Sequence, residues 1–174
     1  MPHPNIVSTT HIRPARPADA ALLSELALRS KGHWGYDRDF LEACRTELTL
    51  SEDYITGSAV FVLEEEGRIV GFYGLRDEGD ELDLAYLFVE PWAVNRGHGK
   101  RLWEHMVWTA QRLGFQVISI ESDPHAEQFY LAMGARRVGE VSSNVRAGRK
   151  LPLLKFYCDP EGRRPSMQNA KLKM

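Results

Sequence analysis

Short apolar runs, bounded by polar or glycine-containing turns, recur along the chain and predict β-strands. These runs are His11–Arg13, Ala59–Leu63, Ile69–Leu75, Leu82–Val89, Val117–Glu121, Val138–Val141 and Leu151–Tyr157. The polar turn 65–68 joins two of them into a predicted hairpin, and the last two runs predict an antiparallel pair. Leu82–Val89 is apolar on both faces except at Asp83, which is typical of a central strand that is covered on both sides.

Helical periodicity in the intervening segments predicts four helices. Their approximate spans are 17–29, 37–48, 99–113 and 124–133. The last helix is expected to be capped by Asp123, with Pro124 in its first turn and Gly134 closing it. The third helix links the central strand to the next strand, which predicts a right-handed β–α–β unit. Apolar stripes predict the buried faces of the first and third helices, at Leu22, Leu23 and Leu26, and at Leu102, Met106, Val107, Ala110 and Leu113.

Length and composition limit the class of protein. With 174 residues and a net charge of −2, the chain is expected to be one domain without a nucleic-acid or acidic-membrane partner. Cys44 and Cys158 lie far apart in sequence, which favours reduced thiols over a disulfide framework. No apolar run approaches the ~18 residues of a membrane-spanning helix, and the N-terminus lacks a signal-peptide pattern. We therefore expect a soluble cytoplasmic protein with a domain over 11–158 and flexible termini at 1–10 and 159–174.

The segment Gly97-His98-Gly99-Lys100-Arg101 lies between the central strand and the third predicted helix. Glycines allow a ligand to approach the backbone closely, and a helix N-terminus with nearby cations attracts anions. A Walker A loop would need Gly and Ser or Thr where Val94 and Arg101 stand, and a dinucleotide loop would need Gly at Leu102. The remaining Gly-x-Gly pattern fits either a phosphate cradle or a plain β–α turn.

Two segments resemble motifs of a known family. Leu87–Pro91 followed by Gly97–Leu102 resembles motif A of the GNAT superfamily of acetyl-CoA-dependent N-acetyltransferases. Asp123–Ala135 resembles motif B, which typically reads Asn-x-x-Ala-x-x-Φ-Tyr-x-x-x-Gly-Phe. The order and spacing of the motifs extend the resemblance over about residues 11–157. The sequence departs from the family pattern, which prefers Gln or Arg, Asn and Phe, at Val94, Asp123 and Ala135.

The resemblance implies an α/β fold with an α+β mixed sheet, mostly antiparallel, of about six to seven strands flanked by about four helices. Its parallel central strands would splay around acetyl-CoA, with strand backbone groups on the pantetheine arm and loop amides on the pyrophosphate. The implied cofactor-binding residues are Phe88, Val89, Val94, Asn95, Arg96, Gly97, His98, Gly99, Lys100, Arg101, Asp123 and Tyr130. For the Lys and Arg side chains of this set, a solvated basic helix face is the alternative.

The resemblance also implies catalytic residues. Tyr130 matches the family Tyr that donates a proton toward the sulfur of CoA, and packing in the core is the alternative role. Asp83 lies fourteen residues before Gly97, where some members have a catalytic Glu, so it is the candidate general base, directly or through a water. A structural carboxylate is the alternative, and Glu81 and Glu121 are rival bases.

The acceptor site is the least explicit part of the sequence. Trp34 and Tyr36, in a ring-rich loop, and Glu121 are candidates for substrate binding, while packing of the loop is the alternative for the rings. His98 and His105 lack further ligands at zinc spacing, so no metal is expected.

The expected function is acetyl transfer from acetyl-CoA to a primary amine of a small molecule or amino acid, in a ternary complex, by a monomer or homodimer. No cysteine lies in either motif, which argues against an acetyl-cysteine intermediate. The rival functions are a CoA-binding regulatory or degenerate domain without turnover and a peptide N-terminal or lysine acetyltransferase.

Overall fold

The computed structural model describes residues 8–158, which form seven β-strands and five α-helices. The strands are β1 (Thr10–Pro14), β2 (Ala59–Glu65), β3 (Arg68–Asp77), β4 (Leu82–Val89), β5 (Val117–Glu121), β6 (Arg136–Ser142) and β7 (Lys150–Tyr157). The helices are α1 (Ala20–Gly32), α2 (Arg38–Leu48), α3 (Glu52–Gly57), α4 (His98–Arg112) and α5 (Glu127–Ala132). The strands make one mixed sheet in the order β1-β2-β3-β4-β5-β7-β6. The predicted fold class is therefore confirmed, with one helix more than expected.

The chain divides into two compact units. Of the described residues, the first unit comprises 8–75 together with Ala85–Trp103, and the second comprises Arg76–Leu84 together with 104–158. The single domain expected over 11–158 stays a prediction. Of the predicted flexible termini, 1–7 and 159–174 lie outside the described residues, whereas Thr10 begins β1. Within 8–158, the helices are too short or too polar to cross a membrane.

In the first unit, β1, β2 and β3 form an antiparallel ladder. Ile12 lies opposite Leu63, and Val62 lies opposite Phe72. The predicted hairpin is confirmed, and its turn contains Glu66 and Gly67 with φ values of 50° and 79°. Two successive residues with positive φ are typical of the hairpin turn whose twist matches that of the strands.

Gly71 of β3 permits close packing beside the end of β4. An added Cβ would lie 2.9 Å from the carbonyl oxygen of Phe88 and 3.0 Å from Cδ1 of Leu102. A larger residue would therefore displace the strand end and the helix that flank the glycine loop.

The helices of the first unit differ from the prediction at two points. α1 continues to Gly32 instead of ending near Arg29, so the ring-rich loop is shorter than expected. The assignment of Leu22 to the buried stripe was wrong, because its side chain faces solvent and is 47% exposed.

Helix α3 was not predicted. Ser51 caps it by accepting a hydrogen bond from the backbone N–H of Tyr54 at 3.0 Å. The helix has six residues, which is too short for an apolar stripe to reveal its period.

In the second unit, the strands form a sheet with one apolar and one polar face. β5 pairs in parallel with β4 at Asp83–Ser119 and antiparallel with β7 at Ser119–Lys155. Side chains alternate between faces along a strand, so these residues share the polar face. Four buried residues form the core of the opposite face: Leu82, Ile118, Ile120 and Leu154. β6 completes this part of the sheet by antiparallel pairing with β7.

The predicted capping of α5 by Asp123 was wrong. The helix begins at Glu127, three residues later than expected, and Ala126 precedes it without a side-chain cap. The carboxylate of Asp123 instead accepts a hydrogen bond from the backbone N–H of His125 at 2.9 Å. Asp side chains readily close such turns, so the same residue type that caps helices here makes a turn before one.

Helix α4 buries its predicted stripe except at Val107, which is half-buried, and at the C-terminal end. Leu102, Met106 and Ala110 are fully buried, whereas Leu113 is 53% exposed and lies beyond the last helical residue. Gly114 follows with a φ of 86°, as expected for a residue that ends a helix.

Candidate active site

The glycine loop joins β4 to α4 in the first unit. After Val89 the chain makes a short 3₁₀ turn at Pro91–Ala93 and then passes through Asn95 and Gly97 with φ values of 63° and 85°. Left-handed φ is favourable for Gly and tolerated by Asn, so these residue types fit the path of the loop. α4 then starts at His98 and is 15 residues long, so its first N–H groups and its dipole are directed toward the loop.

An ion pair between a half-exposed arginine and a buried glutamate fixes the start of this loop. Glu90 is 7% exposed, and its carboxylate accepts two hydrogen bonds from Arg29, at 2.5 Å from Nη2 and at 3.2 Å from Nε. The backbone N–H of Glu90 also donates to the carbonyl of Val70 at 2.8 Å. The bond to Glu90 raises the pKa of Arg29, so the guanidinium stays charged.

The cations predicted to bind CoA phosphates have protein partners in this structure. Arg96 Nη1 lies 3.6 Å from Oε2 of Glu65, and His98 Nε2 lies 3.9 Å from the same oxygen. The guanidinium of Arg101 donates to the hydroxyl and the carbonyl oxygen of Thr10. Their roles toward CoA, like that of exposed Lys100, stay predictions.

The other predicted residues of the first unit line β4 and the ring-rich loop. Phe88 and Val89 are half-buried, and the Phe88 ring lies 6.0 Å from that of Phe72. Trp34 is 41% exposed and meets the ring of His33 edge-on at 5.4 Å. Tyr36 packs on Phe40 at 4.5 Å, with the Lys31 ammonium 5.5 Å from the centre of its ring. The loop thus presents aromatic surface, and its role in substrate binding stays a prediction.

The candidate base lies on the polar face of the second unit. Asp83 has a side-chain exposure of 19% and accepts a hydrogen bond from Arg76 Nη2 at 2.7 Å. Burial raises the pKa of Asp83, the charges of Glu121 and Glu78 add to the increase, and Arg76 opposes it. A carboxylate with a raised pKa is a better proton acceptor near neutral pH than an ordinary Asp.

The rival base Glu81 is engaged elsewhere. Its carboxylate accepts a hydrogen bond from the Lys155 ammonium at 2.5 Å. Glu121 is exposed and acts on Asp83 through its charge. Glu121 therefore influences the pKa of Asp83 through its charge. The two carboxylates differ in that Asp83 is half-buried and Glu121 is exposed.

The candidate acid is enclosed in the second unit. Tyr130 is 7% exposed, and its ring meets Phe129 edge-on at 5.3 Å. Burial raises the pKa of Tyr130, and the charge of Asp123 raises it further. The side chain therefore remains a neutral phenol at physiological pH and can donate its proton.

Three side chains that sequence reasoning missed contact these candidates. Glu65 approaches two residues of the glycine loop, Arg76 binds Asp83, and Arg149 lies 3.6 Å from Asp123. Of these three residues, the sequence pattern singled out only Glu65, as part of the polar turn 65–68. Long-range pairs of this kind leave no local periodicity, and the bare charge of each residue was the available signal.

Potential metal ligands are dispersed in the part of the chain that the structure describes. Within 8–158, no group of three or more His, Cys, Asp or Glu side chains is arranged to hold an ion. His98 Nε2 is buried and lacks a hydrogen-bond partner among the described residues, with Glu65 3.9 Å away.

The sequence is similar to a family of acetyltransferases. A profile of the acetyltransferase (GNAT) domain matches residues 30–148. The peptidyl-lysine N-acetyltransferase YiaC of Escherichia coli strain K12 is 32% identical over 124 residues, which cover 71% of this chain and 81% of YiaC. The 5-NmdU N-acetyltransferase of Pseudomonas phage PaMx11 is 28% identical over 131 residues, which cover 74% of this chain and 89% of that protein.

Solved structures share the fold. The PaiA N-acetyltransferase of Thermoplasma acidophilum, in complex with coenzyme A, matches with a TM-score of 0.72 at 16% identity and covers 86% of this chain and 99% of its own. YncA of Salmonella typhimurium, with its cofactor acetyl-CoA, matches with a TM-score of 0.62 at 23% identity and covers 87% and 95%.

Proposed function

This chain belongs to the GNAT family of acetyl-CoA-dependent N-acetyltransferases, and on that premise we propose that it acetylates a primary amine of a small molecule or amino acid by direct transfer. The observation that carries the proposal is the pair of titratable groups in the second unit. Asp83 is a carboxylate with a raised pKa, and Tyr130 is a buried phenol. A proton acceptor and a proton donor are the two groups that this transfer requires.

The proton transfers balance as follows. An acceptor ammonium gives one proton to Asp83, directly or through a water, and the free amine attacks the thioester carbonyl carbon. The carbon–sulfur bond breaks, and the Tyr130 hydroxyl protonates the departing sulfur. The nitrogen loses its second proton to solvent, and Tyr130 regains one from solvent. Asp83 then releases its proton to solvent, so the products are an amide, the CoA thiol and one proton.

The glycine loop fits the pyrophosphate of acetyl-CoA. Its left-handed residues Asn95 and Gly97 lead directly into a long helix, whose N-terminus favours anions. We assign the amides from Asn95 to Lys100 to the pyrophosphate and the backbone of Phe88 and Val89 to the pantetheine arm. Val94, Asp123 and the loop cations are further cofactor contacts in this proposal.

Charge supports a cationic acceptor. The carboxylates of Asp83, Glu121 and Glu78 lie close enough to influence one another. Negative charge on this face attracts an ammonium group and raises its local concentration. The substrate contacts we propose are Glu121 and, in the ring-rich loop, Trp34 and Tyr36, since aromatic faces also favour cations.

A lysine side chain is the second candidate acceptor. It carries the same primary ammonium, and YiaC, which is 32% identical, is a peptidyl-lysine N-acetyltransferase. Peptide acceptors therefore belong in the same test as small amines.

Release of CoA thiol from acetyl-CoA, measured across a panel of amino acids, small amines and lysine peptides, tests the proposal. We expect release with at least one small amine or amino acid and a large loss in Asp83→Asn. Release with lysine peptides alone would favour the second candidate. Binding of CoA without release for any amine would identify a CoA-binding domain without turnover.

The pH profile tests Asp83 as the base. Because its pKa is raised, the acid limb of kcat/KM should lie above the ordinary Asp value of 3.8. Glu121→Gln removes a charge that raises the pKa, so the limb should move to lower pH. Glu52→Gln removes an exposed carboxylate from the first unit and serves as the control for net charge. An unmoved limb in Glu121→Gln would exclude Asp83 as the titrating base.

A further inference from the structure

The turn that precedes α5 is closed by the side chain and the backbone of one residue. Asp123 accepts hydrogen bonds from the backbone N–H of His125 at its carboxylate and from that of Ala126 at its carbonyl, both at 2.9 Å. Ala126 in turn accepts from the backbone N–H of Tyr130 at 3.3 Å. The placement of the phenol therefore depends on the conformation of Asp123.

Arg149 is anchored where it can act on this turn. Its backbone N–H donates to Arg146 at 3.2 Å, and its carbonyl accepts from the backbone N–H of Ser143 at 2.8 Å. Its guanidinium nitrogen Nη2 lies 3.6 Å from Asp123 Oδ2. The two side chains are 15% and 14% exposed, so solvent screens their attraction little.

The charge of Asp123 opposes the proposed role of Tyr130. A nearby carboxylate stabilises the neutral phenol relative to the phenolate, and this raises the pKa of Tyr130. A cation close to the Asp123 carboxylate offsets part of its negative charge and so limits the rise in the pKa of Tyr130. A cation that pairs with Asp123 therefore makes Tyr130 a better proton donor, and it also holds the turn before α5 in place.

We infer that Arg149 is a positioning residue for Tyr130, acting through Asp123: it offsets the carboxylate charge beside the phenol and holds the turn from which α5 starts. The inference rests on the proposed function, because it concerns the donation of a proton by Tyr130. Arg149 itself contacts Asp123 and is not assigned a contact with the reacting atoms.

Steady-state kinetics of three variants test this inference. Arg149→Gln should lower kcat by roughly three- to tenfold with little change in the KM for acetyl-CoA, since the uncompensated charge of Asp123 makes the Tyr130 phenol a weaker proton donor. Arg149→Lys keeps the charge and should retain most of the activity.

The decisive variant carries Tyr130→Phe and Arg149→Gln together. If Arg149 acts through the phenol, Arg149→Gln should have no further effect on kcat once the hydroxyl is gone. An equal loss of kcat in both backgrounds, or unchanged kcat in Arg149→Gln, would overturn the inference while leaving acetyl transfer intact. Absence of turnover in the wild-type protein with every amine would overturn the proposed function and this inference with it. Thermal unfolding of each variant confirms that the folded protein is being compared.

Discussion

Replacing Tyr130 by Phe is expected to lower kcat by roughly 10²–10⁴-fold, the usual contribution of a positioned proton donor. The ring would keep its place in the core, because the contact with Phe129 is made by the ring and not by the hydroxyl. Departure of the CoA thiolate would then lack its proton source. The affinity for CoA should change little, since the hydroxyl acts after the cofactor is bound.

A second buried tyrosine provides the matched control. Tyr73 is fully buried, and its ring stacks on Phe61 at 5.5 Å. Tyr73→Phe removes a buried hydroxyl to which we assign no step of the reaction, so it should leave kcat within about twofold. Turnover by Tyr130→Phe at the wild-type rate would exclude the phenol as the acid. The comparison requires thiol-release kinetics and a CoA titration of each variant.

Local pattern predicted the elements that carry the site. β4 and β5 have the bounds expected from their apolar runs, and α4 begins one residue before its predicted start. These elements are long or strongly apolar, so period and composition identify them. The motif resemblance is also confirmed by the match to the GNAT domain profile over 30–148.

Pairing of charges was not predictable in the same way. Arg29 and Glu90 are separated by 61 positions, and Arg101 and Thr10 by 91. Such pairs depend on which strands and helices become neighbours, and no local period records that. The sequence therefore identified the candidate carboxylates Asp83 and Asp123, but it did not identify the arginine that pairs with each of them.

The arginines that pair with these two carboxylates affect the chemistry of the second unit. Asp83 is balanced by Arg76 at 2.7 Å, and Asp123 is balanced by Arg149 at 3.6 Å. The first pair limits how far the pKa of the candidate base rises. The second, by our inference, limits how weak the candidate acid becomes. In our proposal, the candidate proton acceptor and the candidate proton donor are thus each adjusted by an arginine outside the family motifs.

A substitution in the glycine loop is expected to have a large effect as well, but on the affinity for CoA rather than on turnover. Gly97 has a φ of 85°, a conformation that disfavours any residue with a Cβ by roughly 1–2 kcal/mol. Within 8–158, and leaving aside its chain neighbours, no atom lies within 4 Å of the position that a Cβ would take, so Gly97→Ala tests the backbone conformation without a clash. If the free loop relaxes to avoid the strain, CoA binding must restore the left-handed conformation at residue 97. The affinity for CoA should then fall by roughly 5- to 30-fold.

Gly114 provides a matched control for this substitution, because its backbone conformation and its surroundings are similar to those of Gly97. It follows α4 with a φ of 86°, and a Cβ there also meets no atom within 4 Å. Gly114→Ala should therefore lower the free energy of unfolding by a similar amount, about 1–2 kcal/mol, without weakening CoA. Calorimetric titration of both variants with CoA, together with their denaturant unfolding curves, separates strain from binding. Equal CoA affinities in the two variants would mean that the loop does not hold the pyrophosphate, whereas a loss confined to Gly97→Ala would tie the left-handed turn at the start of α4 to the cofactor.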